Sequence, residues 1–303
     1  RDFCLSRGLG DVYKRQMPLA YAAGIGGVIT MVGTPPNIIV SGVLTSFGYE
    51  SFSFFEFAWI GIPLTFVVIA YMMFIGKYLL PKAELDADQE IEQEIEATVT
   101  DSKKQIVSGL ILAVCIIVMA LDLKAISLEM TAIVGALVCV LTGCLTEKQA
   151  YSAIDWVTIF LFAGMMPVSA AMDKTGAGKL IAEWAVSLMG GSPTPIIMTS
   201  VLFIISCTLT QFMSNTAACA LLAPVGVAIS QQLGASPKAV LMAIGVAASC
   251  AFATPVGTPP CTLVLGPGGY KFMDYVKVGV PLVVLCFIVS IIVIPMVWPF
   301  FPG

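Results

Sequence analysis

Apolar residues in this chain run in long blocks separated by short polar interruptions, without the alternation of a surface helix or strand. A glycine-rich apolar stretch from Met17 to about Ser46 opens the pattern. The next run, from about Phe57 to Leu80, is long enough to cross a hydrocarbon core that needs about 20 residues, and Pro81 ends it. Residues 82–105 form the one long hydrophilic segment, which reads as an acidic solvated linker. Two further spans are predicted over about Ile106–Leu121 and Leu128–Leu145, joined by the tight Asp122-Leu123-Lys124 turn. Beyond Asp155-Trp156 another run reaches Met172, and Asp173 to Gly191 mixes charged with apolar residues as an interfacial helix does. From Pro195 to Gly234 the chain is mostly apolar around a small, uncharged polar cluster, Gln211 to Thr216. Two ordinary spans would put charges at their turn, so a re-entrant hairpin is expected, with Ser214-Asn215-Thr216 at its tip inside the membrane. A last span runs from about Val276 to Trp298.

Two of these apolar stretches carry the same interruption, Met31-Val32-Gly33-Thr34-Pro35-Pro36-Asn37 and Pro255-Val256-Gly257-Thr258-Pro259-Pro260-Cys261. Paired prolines cannot continue an α-helix, so each copy predicts a broken helix, with the carbonyls of Met31, Val32, Pro255 and Val256 freed from their usual donors. Irregular backbone at membrane depth is tolerated only where protein, water or an ion satisfies it. Two such breaks in corresponding positions point to the binding site of a transporter. The duplication extends further, because Glu56-Phe57 with Gly61-Ile62-Pro63 matches Asp274-Tyr275 with Gly279-Val280-Pro281. An odd number of crossings between the copies inverts one relative to the other. With the linker on the cytoplasmic side, seven lysines (Lys77, Lys82, Lys103, Lys104, Lys148, Lys271, Lys277) lie inside and four (Lys124, Lys174, Lys179, Lys238) outside, as the positive-inside rule favours.

Composition agrees with this picture. The chain is 58% hydrophobic and 11% charged, with a mean hydropathy of +0.95, against about 25% charged residues in soluble domains. Its net charge of −4 reflects the linker, since eight of the nineteen acidic residues lie between Glu84 and Asp101; nothing in it suggests a nucleic-acid partner. Nine cysteines without a C-x-x-C pair, and no histidine, support neither a disulfide framework nor a zinc site. All three arginines (Arg1, Arg7, Arg15) fall in the first sixteen residues, a polar segment that reads as a non-native addition.

The chemistry follows from the breaks. Freed carbonyls with the oxygens of Ser214, Asn215 and Thr216 form an uncharged all-oxygen set suited to Na⁺, while helix N-termini present N–H groups to an anion. No Arg or Lys falls in the middle of a predicted span, so an anionic substrate would depend on helix ends, hydroxyls, amides and co-bound cations. A membrane-embedded enzyme is not indicated, because no histidine or paired intramembrane carboxylate supplies a base. Thr254 and Thr262 read as ordinary back-bonding threonines, and Asp155, Asp173 and Glu183 as solvated or interfacial.

These motifs resemble the divalent anion:sodium symporter family of dicarboxylate, citrate and sulfate carriers. Ser214-Asn215-Thr216 is similar to its hairpin-tip motif, and Gly33-Thr34-Pro35-Pro36-Asn37 and Gly257-Thr258-Pro259-Pro260 to its two unwound-helix motifs. The resemblance implies an all-α, multi-pass cell-membrane protein of two inverted repeats, with a scaffold and a moving transport domain, acting as a homodimer by an elevator-like motion. It implies substrate contacts from Asn215, Thr216, Thr34, Pro35, Thr258 and Pro259, and Na⁺ ligation by Ser214, Asn215, Gly257 and Gly33. On this reading residues 1–16 are non-native, 17–81 are the remainder of the first repeat, 82–105 the cytoplasmic linker and 106–303 the second repeat. The family's first hairpin is missing ahead of Gly33, so the first repeat is incomplete, and Cys261 stands where the first repeat has Asn37. The expected function is Na⁺-coupled symport of a divalent anion, C4-dicarboxylates foremost. Sulfate transport, ion antiport by a related fold and a truncated, inactive fragment are the alternatives.

Overall fold

The computed structural model describes residues 16–80, 102–121, 128–154, 194–255, 257–265 and 269–300, with scattered positions between 156 and 187. Residues 1–15, nearly all of the acidic linker, the Asp122 to Lys124 turn, Val256, the Pro259 side chain and residues 266–268 lie outside that set, as does most of the segment read as a span to Met172 and an interfacial helix beyond it.

All regular structure among the described residues is helical. In chain order the helices are α1 (Gln16–Gly26), a 3₁₀ turn (Gly27–Ile29), α2 (Pro35–Ser46), α3 (Ala58–Tyr71), α4 (Ser102–Ala120), α5 (Leu128–Leu141), α6 (Glu147–Ser152), α7 (Pro195–Thr210), α8 (Asn215–Gln232), α9 (Pro237–Ser249), α10 (Pro259–Leu265) and α11 (Phe272–Val297). α3 continues through a π turn (Met72–Gly76) to Leu79. Helices α2, α7, α9 and α10 all start on proline, whose missing N–H costs nothing at a first helical position.

Among the described residues three helices, Ala58–Leu79, Lys103–Ala120 and Phe272–Val297, are long and apolar enough to cross a membrane. α5 ends at Leu141, short of the expected span to Leu145, because the chain turns through Gly143 and restarts as α6 under a Thr146–Gln149 capping box. α9, rich in Ala, Val and other apolar residues, is buried along almost its whole length. Its 13 residues cover about 20 Å, too little for a bilayer, so it ends at a break inside the protein.

Both expected breaks are present. The first lies between the 3₁₀ turn and α2, and the second between α9 and α10. The packing around them is symmetric under exchange of the repeats: α1 packs on α3 as α9 packs on α11, and α1 meets α10 as α9 meets α2. Equivalent helices run antiparallel. Tyr71, late in α3, donates through its hydroxyl to Val278 O, early in α11, at 2.7 Å. At the other end Trp298 Nε1 donates to Glu56 Oε1 at 2.8 Å. The repeats are therefore inverted, as the sequence implies.

Each of α3 and α11 is opened by its acidic residue in the same way. Glu56 Oε2 accepts from Ser53 N at 2.9 Å, and Asp274 Oδ2 accepts from Lys271 N at 2.8 Å. Glu56 also pairs with Lys238 Nζ at 3.7 Å, tying together the ends of α3, α9 and α11. Glu56→Ala is expected to lower stability in detergent by about 2 kcal/mol, and Glu56→Gln, which keeps an acceptor for Trp298, by less. Unchanged thermal unfolding of both variants would show that the cluster contributes nothing.

Candidate substrate and ion site

The hairpin expected over residues 195–234 is a pair of packed helices, α7 and α8. Its turn is Gln211 to Ser214, slightly earlier than the motif suggests, and Asn215 is already the first residue of α8. Ser214 caps that helix, its Oγ accepting from Ala217 N at 3.2 Å, which fits the N-cap preference for serine. Asn215 Oδ1 accepts a 2.6 Å hydrogen bond from Thr210 Oγ1, and Thr216 lies half-buried beside it.

This tip sits on the second break. The single proton of Thr210 Oγ1 is shared between Asn215 Oδ1 and Ala248 O, which lies 2.8 Å away, and Gln211 Nε2 donates to Cys250 O at 3.3 Å. In the other direction Ala253 N donates to Gln211 Oε1 at 3.0 Å, and Thr254 Oγ1 donates to Gln211 O at 2.8 Å. Gly257 closes the arrangement, because a Cβ there would lie 3.0 Å from Thr210 O and 2.7 Å from the Ala251 side chain. Among the candidates, then, Ser214, Asn215, Thr216 and Gly257 gather at the hairpin tip. Thr258 follows directly, buried, its carbonyl accepting from Cys261 N and Thr262 N. Pro259 begins α10.

Gly33, Thr34 and Pro35 form a second group. Thr34 is buried in extended conformation at the start of α2, and Gly33 folds back against Gly27 and Thr30. Val32 and Gly33, with Thr30, Phe54 and Phe55, line a 460 Å³ cavity whose other wall is α4 and α5. The groups are linked through α2, since Cys219, one turn into α8, donates its thiol to Pro36 O at 3.6 Å.

Two sequence expectations are corrected by this geometry. Pro255 O is not left free, because Thr262 Oγ1 donates to it at 2.7 Å. Thr254 is not a local back-bonding residue, since its hydroxyl joins the break to the hairpin turn. Gln211 was visible only as one member of a polar cluster, yet it fastens the hairpin to the break with both ends of its amide. An uncharged amide four residues before Asn215 was the available signal.

A family model described as citrate transporter matches residues 5–125 and 115–301. The chain belongs to the citrate transporter family. It is a multi-pass protein of the cell membrane. This family member is 34% identical over 284 residues to an uncharacterized transporter of Haemophilus influenzae, with 89% of this chain and 60% of that protein covered. It is 41% identical over 171 residues to the uncharacterized transporter YfbS of Escherichia coli, covering 55% of this chain and 28% of YfbS. The sodium-dependent dicarboxylate transporter SdcS of Staphylococcus aureus is 26% identical over 309 residues, covering 95% of this chain and 59% of SdcS. The chain thus spans 60% or less of these relatives' lengths.

Proposed function

We propose that this family member is a secondary transporter that couples Na⁺ to uptake of a divalent anion, with C4-dicarboxylates as the first candidates. The observation that carries the reading is the seating of the hairpin tip on the second break. There Asn215 and Gly257 both lie against Thr210, and Ser214 caps α8 beside them. The oxygens of these residues suit Na⁺. The N-terminus of the 18-residue α8 adds unpaired N–H groups and a positive dipole end for a carboxylate. Thr216, Thr34, Pro35, Thr258 and Pro259 complete the substrate contacts, and Gly33 supplies the first break's contribution to Na⁺. The name of SdcS, a sodium-dependent dicarboxylate transporter, supports the same pairing of ion and substrate.

With no arginine after Arg15, a dianion at this site is neutralised by the cations bound with it, so substrate affinity depends on Na⁺. The family resemblance adds a homodimer moving by an elevator-like shift of the transport domain. The test is uptake of labelled succinate into proteoliposomes in Na⁺ and in K⁺, with citrate, malate and sulfate as competitors. Uptake that needs Na⁺ and is blocked by dicarboxylates supports the proposal, and equal uptake in K⁺ overturns the coupling. Stronger competition by sulfate than by any dicarboxylate moves the substrate to sulfate. A 303-residue chain that binds Na⁺ and dicarboxylate without transporting either is a partial carrier.

A further inference from the structure

The two breaks share a backbone frame but close by different means. In the first, Asn37 N–H donates to Thr34 O at 3.1 Å; in the second, Cys261 N–H donates to Thr258 O at 3.1 Å. Asn37 and Cys261 therefore hold the same place in the two repeats, as do Val28 and Phe252, and Thr30 and Thr254. In the first repeat the Asn37 amide turns back on its own break, with Nδ2 donating to Val28 O at 3.3 Å and to Thr30 O at 3.0 Å. The side chain is fully buried, and its Oδ1 has no partner. Turning the amide over would set that oxygen against two carbonyls, so the donors fix its orientation.

Cysteine cannot make those two bonds. In the second repeat Phe252 O, the counterpart of Val28 O, takes its hydrogen bond from Tyr21, whose hydroxyl donates at 2.8 Å from α1 of the other repeat. The two rings pack 5.0 Å apart, and Tyr21 is fully buried. At Tyr21's counterpart in the second repeat stands Gly245, lying against Val40, so no matching phenol reaches back to Val28.

We propose that Tyr21 and Asn37 are the positioning residues of the two unwound loops. Asn37 shapes the first loop from within its repeat, and Tyr21 shapes the second from the opposite repeat, in place of the asparagine that Cys261 lacks. The shape of the second loop, and with it the placing of Gly257 and Thr258, is thereby coupled to the position of α1. The consequence for transport rests on the Na⁺ and substrate reading above; the hydrogen-bond assignment does not.

The test is amide hydrogen exchange of the protein in nanodiscs, without Na⁺ or substrate, so that it stands whether or not these loops bind an ion. Tyr21→Phe removes only the hydroxyl and is expected to speed exchange at residues 250–255 about fivefold, the effect of one buried hydrogen bond, leaving residues 30–37 unchanged. Asn37→Ala is expected to do the reverse. In a Cys261→Asn background the new amide supplies the missing donors, and the effect of Tyr21→Phe is expected to fall below about twofold. Unchanged exchange in Tyr21→Phe, equal acceleration at both breaks, or a Tyr21→Phe effect that persists beside a folded Cys261→Asn would each overturn the proposal. If Cys261→Asn does not fold, the crossed pattern of the two single variants decides the matter.

Discussion

Asn215→Ala is expected to abolish Na⁺-dependent substrate binding while the protein stays folded. Asn215 is half-buried at the start of α8, and alanine is the residue best tolerated in a helix, so the hairpin loses little by the change. What is lost is the amide oxygen beside Thr210. A polar contact to a charged group is worth about 3 kcal/mol at most, so Na⁺ affinity should fall by about a hundredfold. Asn215→Asp keeps an oxygen and adds a negative charge; it is expected to hold Na⁺ and to lose the dianion. Calorimetric titration of Na⁺ with and without succinate separates these outcomes. Wild-type Na⁺ affinity in Asn215→Ala would remove Asn215 from the proposed site.

The largest effect on folding is expected from Gly279→Ala. Gly279 of α11 lies so close to the second break that an added Cβ would collide with the carbonyl of Phe252 and sit 2.7 Å from Ala253 Cα. Both neighbours are backbone, so neither can swing aside, and the cost should reach or pass about 3 kcal/mol. Gly61, its counterpart in α3, stands in the same relation to Ile29, where a Cβ would lie 2.7 Å from Cα. Gly61→Ala should therefore also be damaging. Gly109→Ala in α4, where a Cβ meets nothing within 4 Å, is the control and should be neutral or slightly stabilising. Size-exclusion profiles and thermal unfolding in detergent read all three variants. A Gly279→Ala protein as stable as wild type would show that α11 does not approach the break this closely.

The features legible in the sequence are those whose physics is local. Pro35-Pro36 and Pro259-Pro260 announce the ends of helices because a proline's effect on its own turn does not depend on the rest of the fold. The uncharged Gln211 to Thr216 cluster announces a turn for a similar reason. The features that stayed hidden act across long separations. Nothing near Tyr21 distinguishes it from a membrane tyrosine packed on lipid, because its hydrogen-bond partner, Phe252 O, is 231 residues away. Thr254 looked like a back-bonding threonine because the alternative acceptor, Gln211 O, becomes a neighbour only when the hairpin folds onto the break. The Asn37/Cys261 difference could be seen from the aligned motifs, but which carbonyls Asn37 serves depends on how the 3₁₀ turn curls under α2. The matching glycines of the two Gly-x-Pro sequences were read as signs of duplication. Their work, the close approach of α3 and α11 to the breaks, appears only in the packing.

The bonds that join the repeats also set the order of assembly during synthesis. Tyr21 waits for Phe252, Tyr71 for Val278 and Glu56 for Trp298, separations of 231, 207 and 242 residues. At about 5–20 residues per second the ribosome needs about 10–50 s to deliver those partners. Throughout that interval the first break sits without its partners from the second repeat, and the bonds of Asn37 to Val28 and Thr30, which span only nine and seven residues, are among the ties that can already be in place. The first loop can thus be shaped as soon as it is made, whereas the second is born with its tyrosine partner already waiting.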